Sequence, residues 1–127
     1  MGQFVDPYLV NETPATHEAP VDLVHLARHT FGDADLEREV LQLFMTQSRI
    51  YLNRLKEARD VENWRRAAHT IKGSARGIGA WGVAERAQTA ELLGHNVDDD
   101  RSRNAIAALE REVDAVNGYI RSLFVEH

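Results

Sequence analysis

Near the C-terminal end of the chain, Ile106, Leu109, Val113, Val116, Ile120 and Leu123 recur at alternating steps of three and four. That spacing puts six aliphatic side chains on one edge of a helix running from about Arg101 to Phe124, and the edge must be covered. A dimeric coiled coil or the seam of a helical bundle would satisfy it. Three heptads beside other amphipathic segments favour the bundle.

The rest of the chain supplies those segments. A first helix is expected from about Pro20 to Thr30, with Pro20 in its opening turn and Leu23, Val24, Leu26 and Ala27 as its apolar stripe. Gly32 suits a C-terminal cap and Asp33 the N-cap of the next helix. That second helix should run from about Ala34 to Arg59. Its inner stripe reads Leu36, Val40, Leu43, Phe44, Gln47, Tyr51, Leu55 and Ala58, widened by Leu41, Met45, Ile50 and Leu52. Asp60 can cap a third helix that stops near Gly77 or Gly79. A fourth, about Ala80 to Leu93, carries the small inner stripe Ala80, Val83, Ala84, Ala87 and Ala90, and Gly94 and Asn96 end it. Asp98, Asp99 and Asp100 place an N-cap and negative charge at the start of the fifth. The expected fold is all-α: an antiparallel four-helix bundle with an additional N-terminal helix. Residues 1–19 form a loose N-terminal arm, since apolar Phe4, Val5, Tyr8, Leu9 and Val10 give way to loop formers and two prolines. Residues 20–127 are the bundle domain.

The third helix divides into two unlike faces. At about 100° per residue from His69, the side chains of Trp64, Ala67, Ala68, Ile71, Ala75 and Ile78 point into the core. Arg65, Arg66, Lys72, Gly73 and Arg76 fall within about 60° of the histidine. His69 therefore stands on the solvent face among cations, which disfavour its imidazolium form and would stabilise an attached phosphoryl dianion. Gly73 costs about 1 kcal/mol relative to alanine in a helix interior. An exposed position gains nothing from a missing side chain unless another molecule comes close.

His69-Thr70-Ile71-Lys72-Gly73-Ser74, followed by Gly79 ten positions after the histidine, resembles the signature of histidine phosphotransfer (HPt) domains. The resemblance spans roughly Pro20 to the C-terminus. It implies a helical bundle that relays a phosphoryl group between aspartyl-phosphate receiver domains. His69 would be the phosphorylated nucleophile, Lys72 the phosphate partner and Gly73 the clearance for the visiting receiver. Arg65, Arg66 and Arg76 would line the docking face. Glu91 sits where relatives often place Gln or Glu beside the histidine, with Gln88 one turn earlier as a competing candidate to orient its ring. The implied partners are receiver domains of response regulators or hybrid histidine kinases. The catalytic Mg²⁺ belongs to the receiver, and the chain itself is expected to need no cofactor.

Two further function classes are weighed against this reading. A sensor kinase would need a nucleotide-binding module, and neither a Gly-rich phosphate loop nor the length for one is present; Thr70 also stands where such kinases usually carry an acidic residue. A purely structural interaction bundle remains the alternative, and it predicts that His69 can be replaced freely. A formal net charge of −5 argues against general nucleic-acid binding. The chain has no cysteine, hence no thiolate chemistry. His25 and His29 are four apart, half of a metal site at most, and no third ligand is placed beside them; no metal is expected. No basic leader, membrane-length apolar run or complete myristoylation motif is visible, so the expectation is a cytoplasmic monomer without membrane contact.

Overall fold

Three aspartates set where three of the helices begin. In the computed structural model, which describes residues 19–94 and 100–124, the carboxylates of Asp22 and Asp33 accept from the amides of His25 and Leu36 at 3.1 Å, and that of Asp60 from Asn63 at 2.8 Å. Each such cap stabilises a helix start by about 1 kcal/mol. Among the described residues the helices are α1 (Leu23–Thr30), α2 (Ala34–Glu57), α3 (Val61–Ile78), α4 (Trp81–Leu93) and α5 (Asp100–Leu123). The arm up to residue 18, and Asn96, Asp98 and Asp99, lie outside the described residues.

The boundaries depart from expectation where a local contact outweighs propensity. The first helix starts at Leu23 rather than Pro20 because Asp22, not the proline, supplies the cap. The second stops at Glu57 because Ala58 turns to extended backbone and buries its methyl group. Phe31 takes the left-handed position after α1 at φ 56°, one residue before Gly32, whose amide bonds to the Ala27 carbonyl at 3.0 Å. At the end of α3, Gly79 has φ 77°, and a Cβ there would lie 2.8 Å from Asp22 Cβ. Glycine is thus required twice, by its backbone conformation and by the segment entering α1.

Three-residue and two-residue joins reverse the chain between α2, α3 and α4. α5 closes the ring by packing on both α4 and α2, while α1 lies against α2 and α3. The core is built from Leu41, Phe44, Leu52 and Leu55 of α2, Trp64, Ile71 and Ile78 of α3, and Leu109, Val113, Val116 and Ile120 of α5. Burying each large aliphatic side chain contributes about 1.5–3 kcal/mol.

The inner stripe of α2 is rotated from the expected one. Leu36 and Leu43 are exposed, and Ile50 with them, whereas Leu41 and Leu52 are core. The helix meets α3 on one side and α5 on the other, so its buried arc centres between them. The α4 stripe of Ala80, Val83, Ala84, Ala87 and Ala90 is buried throughout. Small residues let α3 and α4 approach closely, and the Trp64 indole N–H locks their register by donating to the Ala90 carbonyl at 2.8 Å. A buried polar pair crosses the α2–α5 seam: the Asn117 amide donates to Ser48 Oγ at 3.3 Å.

Candidate functional site

The register fixed by Trp64 and Ala90 brings the next residue of α4, Glu91, opposite His69. The His69 side chain is 67% exposed, and its Nδ1 lies 3.1 Å from Glu91 Oε2. The other carboxylate oxygen of Glu91 is 2.6 Å from Lys72 Nζ. One carboxylate therefore serves two donors on successive turns of α3. The hydrogen bond from Lys72 holds the Glu91 carboxyl below the usual carboxylate range; burial opposes this, and the bond from His69 adds to it. Glu91 is thus ionised at neutral pH. An ionised carboxylate only accepts, so Nδ1 is the donor in this contact, and the neutral form of the ring then has its lone pair on Nε2.

The expected basic ring is partly spent. The Lys72 side chain is only 13% exposed, because it lies back against α4 to reach Glu91 and, at 3.3 Å, Gln88 Oε1. Arg76 also donates to Gln88, at 3.5 Å. Of the two residues expected to compete for the imidazole, Gln88 turns its oxygen to the two cations, and Glu91 is the one in contact with the ring. Arg66 turns along α3 to pair with Glu62 at 3.1 Å. Arg65 is exposed. At Gly73 a Cβ would meet nothing within 4 Å, so no contact within the described residues calls for the glycine.

The Hpt domain family matches residues 39–119. The chain belongs to the Hpt family. Its fold is also similar to the crystal structure of the histidine phosphotransferase ShpA from Caulobacter crescentus, at 32% identity and a TM-score of 0.53, covering 83% of this chain and 99% of that one. No curated protein sequence matches significantly. As an Hpt protein, the chain functions in phosphorelay by histidine phosphotransfer.

Around this Hpt site lies a support that the sequence pattern did not reveal. Asp22 accepts from the Trp81 indole at 3.1 Å as well as capping α1, and its amide donates to the Gly79 carbonyl at 2.9 Å. Burial pushes the Asp22 carboxyl up, but the bonds from Trp81 and His25 outweigh it and leave it lowered. His25 Nε2 donates to the Arg76 carbonyl at 2.9 Å, and His29 Nδ1 to the His25 carbonyl at 3.0 Å. Each histidine spends one ring nitrogen on a backbone carbonyl; the His25 bond pins α1 to the end of α3, while His29 bonds within α1 and lies against the His25 ring. Among the described residues no group of three His, Cys, Asp or Glu side chains is arranged to hold a metal, and no helix is long and apolar enough to cross a membrane.

Proposed function

We propose that His69 carries the phosphoryl group between receiver domains, with Nε2 as the attacking atom. The observation that carries this reading is the contact between His69 Nδ1 and the ionised carboxylate of Glu91. The Nε2 lone pair attacks the phosphorus of a receiver's aspartyl phosphate. The P–O bond to the aspartyl carboxylate breaks, and that carboxylate leaves with the electron pair. The phosphorylated ring keeps its Nδ1 proton and becomes cationic, and Glu91 stabilises this charge across 3.1 Å. Attack by the aspartate of a second receiver reverses the step.

Lys72 supplies the cation nearest the arriving phosphoryl oxygens, swinging from Glu91 and Gln88 toward them. Gly73 leaves room for the rim of the receiver. Arg65, Arg66 and Arg76 form the docking face and attract an anionic partner. Mg²⁺ belongs to the receiver, and this chain adds no cofactor. It acts as a cytoplasmic monomeric phosphocarrier rather than a self-sufficient enzyme, with receivers of response regulators or hybrid histidine kinases as its partners.

The test is label transfer from a panel of phosphorylated receivers to wild type and to His69→Gln. Wild type should gain a label that is lost in acid and survives base, and the variant should gain none. Acid-labile label on the variant would overturn the assignment.

A further inference from the structure

At the α2–α3 turn, Tyr51, Arg54, Glu57 and Ala58 of the α2 end face Arg59, Asn63, Arg66 and Ala67 across a cleft of ≈ 290 Å³. Three of these residues are arginines and one is a carboxylate, in a chain whose net charge is −5. The arginines are largely unspent. Arg54 lies over the Tyr51 ring, 4.8 Å from its centroid, which fixes its direction while leaving its N–H donors free. Neither Arg54 nor Arg59 has a carboxylate within ion-pair distance among the described residues. Among the described residues Arg66 pairs with Glu62, both side chains being well exposed at 66% and 78%. Exposed pairs of this kind are worth little and exchange readily. The Asn63 side chain bonds Asp60 through its amide nitrogen at 3.0 Å.

One wall of the cleft lies on the helix that carries His69. Arg66, on its wall, stands three residues before His69, about 4.5 Å along the axis of α3 and on the same side of the helix. A standard protein interface covers about 800 Å² on each partner, a patch about 16 Å in radius. A protein that brings its aspartyl phosphate to His69 Nε2 must cover Arg66 and reach the mouth of the cleft.

We infer that this three-arginine cleft is an anchor site for an acidic side chain that the docked receiver carries beside its transfer site. The inference rests on the receiver reading above. Its chemistry is the match of planar guanidinium donors to a carboxylate, which accepts two parallel N–H bonds from one arginine. Arg54, held on Tyr51, and Arg59 give the receiver a second point of attachment. Two points separated along one face fix the rotation of the partner about the His69–phosphorus line, which a single contact at the histidine leaves open.

The experiment has two arms. In the first, the receiver that labels His69 most rapidly in the panel is used with wild type and with the Arg54→Ala/Arg59→Ala double variant. KM for the phosphorylated receiver should rise about tenfold, with kcat changed far less, since two charged contacts are lost and the chemistry is intact. Arg54→Lys/Arg59→Lys should recover part of the loss, because charge returns without the planar fork. In the second arm, an N-acetylated tetraglutamate peptide is titrated into the ¹⁵N-labelled chain at low salt, with inorganic phosphate at matched ionic strength as the control. Shifts should gather on the Nε–H groups of Arg54, Arg59 and Arg66, and the double variant should abolish them. Unchanged KM in the double variant, peptide shifts spread evenly over all arginines, or equal shifts from phosphate would each overturn the inference. If no receiver labels His69, the carrier reading fails by itself, and the peptide arm still decides whether the cleft takes carboxylates.

Discussion

Replacing Glu91 with glutamine alters one atom of the site and should invert the state of the nucleophile. The carboxylate now serves two donors, Lys72 Nζ at 2.6 Å and His69 Nδ1 at 3.1 Å. An amide has one accepting oxygen and one donating nitrogen. The oxygen must face the ammonium of Lys72, since an amide N–H₂ against a charged donor would leave both unsatisfied. The amide nitrogen then faces His69 Nδ1 and donates to it, so the ring proton moves to Nε2 and blocks the attacking lone pair. A hydrogen bond to a charged group contributes about 1.5–3 kcal/mol, which is roughly a 10- to 150-fold bias between tautomers. Glu91→Gln should therefore slow single-turnover transfer from a phosphorylated receiver by about that factor, with receiver affinity nearly unchanged. The ¹⁵N shifts of the His69 ring should report the exchange of protonated nitrogen directly. Wild-type transfer rates, or a ring still protonated at Nδ1, would refute the argument that Glu91 sets the tautomer.

Four other outcomes follow from the same geometry. Gly73→Gln should hold or raise the melting temperature, because glutamine is the better helix former by up to about 1 kcal/mol and the added side chain meets open space; transfer should nonetheless fall sharply, and a full transfer rate would remove the clearance role. Gly79→Ala should cost about 2–4 kcal/mol in urea unfolding, through left-handed backbone strain and the collision with Asp22; a loss below about 1 kcal/mol would show that the turn relaxes easily. Asp22 and Glu91 both titrate below their unfolded values, so the folded state binds fewer protons, and their contribution is complete above the unfolded values and vanishes as pH falls through the folded ones. Asp22→Asn should flatten the acid limb of a pH–stability curve and speed amide exchange in α1, and an unchanged acid limb would count against a stabilising role for the Asp22 carboxylate. Ser48→Ala with Asn117→Leu should raise the melting temperature, since Asn117 Oδ1 is buried without a hydrogen-bond partner; a fall would mean that the polar pair contributes net stability.

The helices, their order and the exposed histidine were legible in the sequence because each rests on short-range chemistry. Aspartate caps, glycine stops and three-four spacing act within a few residues, and a helix wheel turns them into faces. What escaped depends on distance in space. Leu36 and Leu43 looked like core and are exposed, because a wheel gives the width of an apolar arc but not which part of it two neighbours cover. Lys72 and Arg66 were placed by their Cβ directions, while their long side chains settled on Glu91 and Glu62. Glu91 and Gln88 are one turn apart on one face, and only the register between α3 and α4 decides which of them reaches His69. Ser48 and Asn117 are polar residues inside the seam, invisible to any hydrophobic pattern. The Asp22–Trp81 bond joins residues 59 apart in the chain, and nothing in either segment announces the other.

The tight alanine seam between α3 and α4 has a consequence for how such a protein can diversify. His69 and Glu91 sit on the two helices that this seam locks together, whereas Tyr51, Arg54 and the exposed leucines of α2 sit outside it. Substitutions on the outer surface of α2 leave the His69–Glu91 distance untouched. After a gene duplication, the two copies could drift apart in the partners they accept while both keep the same working chemistry, so insulation between parallel signalling routes can arise one surface residue at a time.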